Sequence, residues 1–162
     1  MFERNDFSKL RLVPASDSDR EFSYRVKKEA EGIYITAQFG WDEKLQREFH
    51  SRAWLENRPD IISYREESIG TIAISQGENE ITIAQFFILP RYQRKGIGTY
   101  LLQSILHRAD KYQLVTRLTH LRNNPVKTLY ERNGFQVVKQ DEIFFHLERK
   151  PNIKKKKTDR RT

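Results

Sequence analysis

The residues best suited to chemistry lie in "LPRYQRKGIGTYLLQSIL", residues 89–106. Gly96 and Gly98 stand one residue apart, Arg91, Arg94 and Lys95 precede them, and a strong helical pattern follows. Glycine weakens the start of a helix unless the backbone there has another task. A helix N-terminus presents amides without intrahelical partners and a partial positive charge. Bare backbone with cations nearby suits an anion, above all a pyrophosphate. The helix dipole contributes only about 0.3–1 kcal/mol, so useful affinity needs several amide contacts and an apolar or adenine component. The bland alternative is that the two glycines merely turn a strand into a helix. Neither common nucleotide loop fits. A P-loop needs Lys-Ser/Thr after its glycine, whereas Gly98 precedes Thr99 and Tyr100. The dinucleotide fingerprint needs a third glycine where Leu101 stands.

Other chemistries are narrowed by what the chain contains. There is no cysteine, which removes disulfides, thiolate metal sites and a cysteine nucleophile, and fits a reducing cytosol. The four histidines, His50, His107, His120 and His146, share no i, i+4 face, so no metal site is expected. No run of about 18 apolar residues is present, and "MFERNDFSKL" lacks the apolar centre of a signal peptide. A cytoplasmic protein without a membrane segment is expected.

The net charge of +8 is unevenly spread. Residues 149–162 carry eight cations and one acid, leaving 22 cations and 21 acids elsewhere. The body is nearly neutral. The basic tail, residues 151–162, reads as disordered, either a solubility aid or a contact for RNA, ribosome or an acidic protein. With 162 residues, one domain over residues 1–150 is expected, large enough for a real core.

The elements that must position the glycine loop follow from periodicity. Residues 9–15 alternate as a strand; Ser16 and Asp19 then form an imperfect capping box for a helix. Phe22, Val26, Ala30, Ile33 and Ala37 recur at helical spacing until Gly40. A second helix has Trp41, Leu45 and Phe49 on one face and ends before Pro59. "IISYRE", "SIGTIAIS" and "EITIAQFFIL" are strands, the last two joined by the hairpin connector "QGENE". Ile97, Leu101, Ile105, Ala109 and Tyr112 form a helical stripe after the glycines, widened by Leu102 and Leu106. "LVTRLTHL" is a strand, "NNPVKTLYERNGF" a short helix, and "FQVVKQ" and "EIFFHLE" two closing strands. The order β-αα-βββ-α-β-α-ββ is a mixed α/β sheet with helices on its faces.

Gln93-x-x-Gly96-x-Gly98 after "FFILP" resembles motif A of the GNAT superfamily, the Gcn5-related N-acetyltransferases. Asn123, Val126, Leu129, Tyr130, Gly134 and Phe135 match its N-x-x-A-x-x-L-Y-x-x-x-G-F element, with valine where alanine is usual. The element order matches over roughly residues 8–148. The resemblance implies a GNAT fold with a splayed central sheet, and acetyl transfer from acetyl-CoA directly to a primary amine. Backbone at Phe87 and Ile88 would contact the pantetheine arm and polarise the thioester carbonyl. Gln93, Arg94, Lys95, Gly96, Ile97, Gly98 and Thr99 would hold the pyrophosphate.

Tyr130 matches the family tyrosine that serves the leaving thiolate. Reference pKa values of about 10 and 8.5 make full proton transfer uphill by about 2 kcal/mol. Tyr130 is therefore a hydrogen-bond donor, or an acid if its pKa is lowered, with Lys127 one turn away to assist. Asn123 fits the position that bonds the arm or the adjacent loop, or it caps the helix. Glu80 begins the strand that often carries the family's base, though a solvated hairpin residue is the competing reading; ordered water or an amine already deprotonated remains open. Trp41, Asp42 and Glu43 could present an apolar wall and negative charge to a cationic acceptor, or simply start a helix. Tyr34 and Phe145 are lesser acceptor candidates. No metal is implied, and the protein would be a monomer or homodimer. The rival readings are a GNAT-fold module that binds RNA or ribosome through its tail, and an acyl-CoA sensor without turnover.

Overall fold

The computed structural model describes residues 6–153. A seven-stranded sheet is built from β1 (Leu10–Pro14), β2 (Asp60–Tyr64), β3 (Glu67–Gln76), β4 (Glu80–Ile88), β5 (Val115–Leu121), β6 (Gln136–Gln140) and β7 (Phe144–Arg149). Its order is β1-β2-β3-β4-β5-β7-β6, and only β4 and β5 run parallel. Four helices accompany it: α1 (Arg20–Phe39), α2 (Glu43–Glu56), α3 (Ile97–Lys111) and α4 (Lys127–Arg132). The architecture is the expected one.

Alternation in β2 divides the core. Ile62 joins Ile72, Ile81, Ile83 and Leu118 beneath the α3 residues Ile97, Leu101, Leu102 and Ile105. Its neighbour Ile61 faces the other way and packs with Ala15 and Trp54 of α2. Helices α1 and α2 therefore cover one face, and α3 and α4 the other.

The capping box forms as read: the Ser16 N–H donates to Asp19 Oδ2 at 2.8 Å. Gly40 ends α1 with φ +74°. The faces of α1 and α2 need correction. On α1 the buried positions include Ser23, Tyr24, Val26 and Ile35, whereas Ile33 is 70% exposed and Ala37 is exposed too. On α2 they are Gln46, His50 and Trp54, while Leu45 and Phe49 face outward. Phe22 and Val26 do face the core, but the period fails at Ile33 and Ala37 and at Leu45 and Phe49, because these helices also turn polar groups inward.

Two irregularities shape β4. The β3–β4 register shifts between Thr71 and Ala73, and Gln85 sits at φ +49° in the resulting bulge. The bulge is pinned by the Thr71 hydroxyl donating to the Gln85 carbonyl at 2.8 Å and by Gln85 Nε2 donating to the Asn57 carbonyl at 2.8 Å. It also requires a glycine opposite, since a Cβ on Gly70 would lie 2.3 Å from the Phe87 carbonyl oxygen. The second irregularity is on the other edge. Pairing between β4 and β5 runs only from Glu80↔Val115 to Ile83↔Leu118. Both strands continue, β4 held by β3 as far as Ile88 and β5 held by β7 as far as Leu121. Their facing edges part like a V.

Candidate active site

The open end of the V meets the glycine loop. Gly96 is the N-cap of α3 and adopts the left-handed conformation, φ +81°. Arg94 is also left-handed, at φ +59°. The first closing bond is from the Tyr100 N–H to the Gly96 carbonyl, 3.0 Å, so the amides of Ile97, Gly98 and Thr99 have no helical carbonyl to reach. Gly98 has a different task. Its missing side chain faces Ile88 Cδ1 at 3.6 Å and Leu129 and Phe86 at 3.9 Å, so it seats α3 against the end of β4. Gln93 ties the loop to the strand by donating from Nε2 to the Ile88 carbonyl, 2.7 Å. Arg91 and Lys95 lie over the Tyr92 ring, whose hydroxyl is held by Glu67. The Ile97 side chain is core, leaving only its backbone for a ligand.

Around the V, Tyr130 is 6% exposed, stacked on His120 (5.7 Å, 26°) and edge-on to Phe135 (5.6 Å, 69°). Burial pushes its hydroxyl pKa well above the ordinary value, so the hydroxyl keeps its proton. Lys127 does not lower it: its ammonium pairs with Glu131 at 3.3 Å and lies over Phe145. Asn123 Nδ2 donates to the Tyr34 carbonyl at 2.8 Å, tying α1 to the loop after β5. Asn123 does not cap α4, whose N-cap is Val126 without a side-chain cap bond; the turn before it is held by Asn124, whose Oδ1 accepts from the Val126 N–H at 3.2 Å.

Several residues singled out in the sequence stand elsewhere. Glu80 lies at the closed end of the V, and its carboxylate accepts from Arg117 Nε at 2.7 Å. Seven residues of strand separate it from Phe87, roughly 23 Å at the usual rise. It does not join the V. Asp42 is the N-cap of α2, accepting from the Leu45 N–H at 3.0 Å. Glu43 accepts from Trp41 Nε1 (2.7 Å), Lys28 (3.1 Å) and Arg47 (3.1 Å), and the bonds from Trp41 and then Lys28 hold its pKa down to about 2. The Trp41–Asp42–Glu43 segment braces the α1–α2 junction with its own partners. Arg149, counted with the tail by composition, is buried and forms a two-pronged pair with Asp110 at 2.8 and 3.1 Å. The expectations for residues 154–162 lie outside the described residues.

Two groups escaped the sequence reading. His120 Nδ1 lies 2.8 Å from the Leu121 carbonyl, which can only accept, so the proton is on Nδ1. Its Nε2 is then a lone-pair acceptor, buried and without a partner among the described residues. The other is a cavity of about 190 Å³ on the α1–α2 side of β4, lined by Ser23, Lys27, Glu31, His50, Ala53, Thr71, Gln85 and Phe87. No hydrophobic period could reveal it, because its walls are polar. A larger hollow of about 320 Å³ is formed only by α1, α2 and the turn before them, with Arg47 and Glu21 paired at 2.9 Å in its wall. The sheet contributes nothing to it.

The sequence profile of the acetyltransferase (GNAT) domain matches residues 51–137, more than half of the chain. The chain belongs to the GNAT family of N-acetyltransferases. The matched stretch contains β4, the glycine loop, α3, β5 and α4. Among solved structures, PaiA N-acetyltransferase from Thermoplasma acidophilum, in complex with coenzyme A, is 22% identical over 87% of this chain and 98% of its own, with TM-score 0.67. The ribosomal-protein-S18-alanine N-acetyltransferase from Escherichia coli is 16% identical over 91% and 97%, TM-score 0.64. Arabidopsis thaliana Naa50, bound to the bisubstrate analogue CoA-Ac-MVNAL, is 15% identical over 87% and 98%, TM-score 0.59. At these identities the likeness is one of fold. No curated protein sequence matches significantly. Among the described residues, no helix is long and apolar enough to cross a membrane, and no three His, Cys, Asp or Glu side chains gather as a metal site.

Proposed function

We propose that the protein transfers the acetyl group of acetyl-CoA directly to a primary amine, with the coenzyme's arm lying in the V between β4 and β5. The carrying observation is the coincidence of two incomplete hydrogen-bonding surfaces. The inner edges of β4 and β5 lack a strand partner beyond Ile83 and Leu118, and the α3 mouth opens beside them. Strand-edge groups suit the amides of a pantetheine arm. The Ile97, Gly98 and Thr99 amides suit a pyrophosphate, with Arg94 and Lys95 adding attraction. These residues fit the co-substrate by chemistry as well as by order.

The protein's own contribution is then orientation and polarisation. Backbone at Phe87 and Ile88 aligns the thioester carbonyl. Tyr130, kept protonated by burial, supports the departing sulfur by donating a hydrogen bond. Neutral His120 offers a fixed acceptor beside it. Glu80 is left out as the base because Arg117 holds it at the closed end. The PaiA enzyme's bound coenzyme A and the bisubstrate analogue on Naa50 support the same reading by analogy of fold. The test is calorimetric titration with acetyl-CoA, followed by thiol release across a panel of amines. Absence of binding at millimolar acetyl-CoA refutes the proposal; binding without thiol release to any amine makes the protein a sensor.

A further inference from the structure

The cavity behind β4 has one basic and one acidic side chain in an otherwise uncharged lining. Lys27 and Glu31 are one turn apart on α1 and both line it. The Lys27 ammonium donates to Gln46 Oε1 at 3.3 Å, while the Glu31 carboxylate has no hydrogen bond or ion pair among the described residues. The remaining walls add no formal charge. His50 is neutral, its pKa pushed down to about 4 by burial, and its Nε2 lies 2.9 Å from the Ser23 hydroxyl. Thr71, Gln85, Ala53 and Phe87 complete the lining, and Gln85 and Phe87 are the β4 residues at the bulge and beside the V. The chamber therefore borders the strand segment at which the thioester would be held.

Resting on the proposed acetyl transfer, we infer that this chamber receives the acceptor as a small aminocarboxylic acid, its amine on Glu31 and its carboxylate on Lys27. A zwitterion satisfies both wall charges at once. A diamine or polyamine places its second ammonium against Lys27 with no other acid in the lining. A peptide N-terminus leaves Lys27 without an anion and must thread its chain out of a space of about 190 Å³. That volume is below the range of about 300–1,000 Å³ usual for drug-sized ligands and suits a single amino acid.

Glu31 is also placed as the proton acceptor. Desolvation raises its carboxyl pKa and lowers that of Lys27, which brings Glu31 closer to the operating range of a general base. The ammonium gives one proton to Glu31. The freed nitrogen lone pair forms the N–C bond to the thioester carbonyl carbon, and the C–S bond breaks. The second nitrogen proton ends on the coenzyme thiol, and Glu31 returns its proton to water. The products are an N-acetylamino acid and CoA.

The experiment measures thiol release with the twenty common amino acids, their decarboxylated amines, putrescine, spermidine and short peptides. Acetyl-CoA affinity is measured by calorimetry for every variant. At least one amino acid is expected to exceed its decarboxylated amine in kcat/KM by about 100-fold or more, since a site built for a polar group rejects the analogue lacking it. Lys27→Met should erase that ratio, and Glu31→Gln should lower kcat by about 100-fold with acetyl-CoA affinity intact. Unchanged acetyl-CoA affinity shows that each variant is folded. A polyamine or peptide as best acceptor, or a ratio indifferent to Lys27→Met, overturns the inference while the transferase reading stands. If thiol release is nil throughout, saturation-transfer NMR with the same amino acids on the CoA-loaded protein decides: no binding overturns it. Loss of acetyl-CoA binding by the wild-type protein is the failure of the underlying reading instead.

Discussion

Replacing Gly96 and Gly98 separately by alanine divides two roles that look identical in the sequence. At Gly96 a methyl group must be carried at φ +81° and would stand 3.3 Å from Phe7 Cζ. An L-residue in the left-handed region costs about 1–2 kcal/mol. If the loop keeps its shape, that amount is lost from folding stability. If it relaxes to negative φ, the amides of α3 turn from the ligand, and binding must restore them at the same cost. Affinity for acetyl-CoA should then fall about 5- to 30-fold. At Gly98 the added methyl meets Ile88, Leu129 and Phe86 at 3.6–3.9 Å, ordinary contact, and φ is not positive. Alanine within a helix is favoured over glycine by about 0.5–1 kcal/mol. Gly98→Ala should therefore unfold at equal or higher urea and bind acetyl-CoA as before. The assays are urea denaturation without ligand and calorimetric titration with acetyl-CoA. Wild-type affinity and stability in Gly96→Ala, or an equal loss of affinity in Gly98→Ala, would refute the assignment of the helix mouth.

Tyr130→Phe should lower kcat by about 100-fold, as for loss of one donor to developing charge, with little change in acetyl-CoA affinity; steady-state kinetics and calorimetry check this. Glu80→Gln should leave kcat/KM unchanged and cost no more than about 1 kcal/mol, because an exposed pair with Arg117 is all it removes. His50 has a folded pKa of about 4 against an ordinary 6.5, so folding penalises its charged form. The stability associated with its neutrality is present above the unfolded value and is lost as pH falls from 6.5 toward 4, by about 3 kcal/mol at most. Urea midpoints at neutral and acidic pH should show this slope in the wild type, and His50→Gln should flatten it.

The central part of the fold was legible because its residues follow simple periods. Ile97, Leu101, Ile105 and Ala109 are the buried stripe of α3 as their spacing predicts, although Tyr112, at the C-cap, is exposed, and all seven strands fall where alternation and turn residues put them. The failure in α1 and α2 has a physical cause. Ser23, Gln46 and His50 are buried and polar, while Ile33, Phe39 and Phe49 are exposed, so the apolar period finds Val26 but misses much of the inward face. The glycine loop was readable because positive φ leaves a compositional trace. Lys27 and Glu31 left none, since charged residues four apart are ordinary on any exposed helix, and only the packing of α1 over β3 and β4 turns them inward. Glu80 and Glu43 drew notice by type and position, but type does not reveal that Arg117 and Arg47 already occupy them.

The abbreviated seam between β4 and β5 also has a mechanical consequence. Four residue pairs join a β1–β4 half-sheet to a β5–β7 half-sheet, and beyond them the halves are connected by chain, by packing through α3 and by side-chain bonds from the β5–β7 side to α1 such as Asn123 to Tyr34. Such halves form natural units of sub-global opening, each able to loosen without melting the other. A molecule wedged along both inner edges would act as a rivet. Saturation should slow amide hydrogen exchange on the two facing strands together, and the protein should melt more cooperatively loaded than empty.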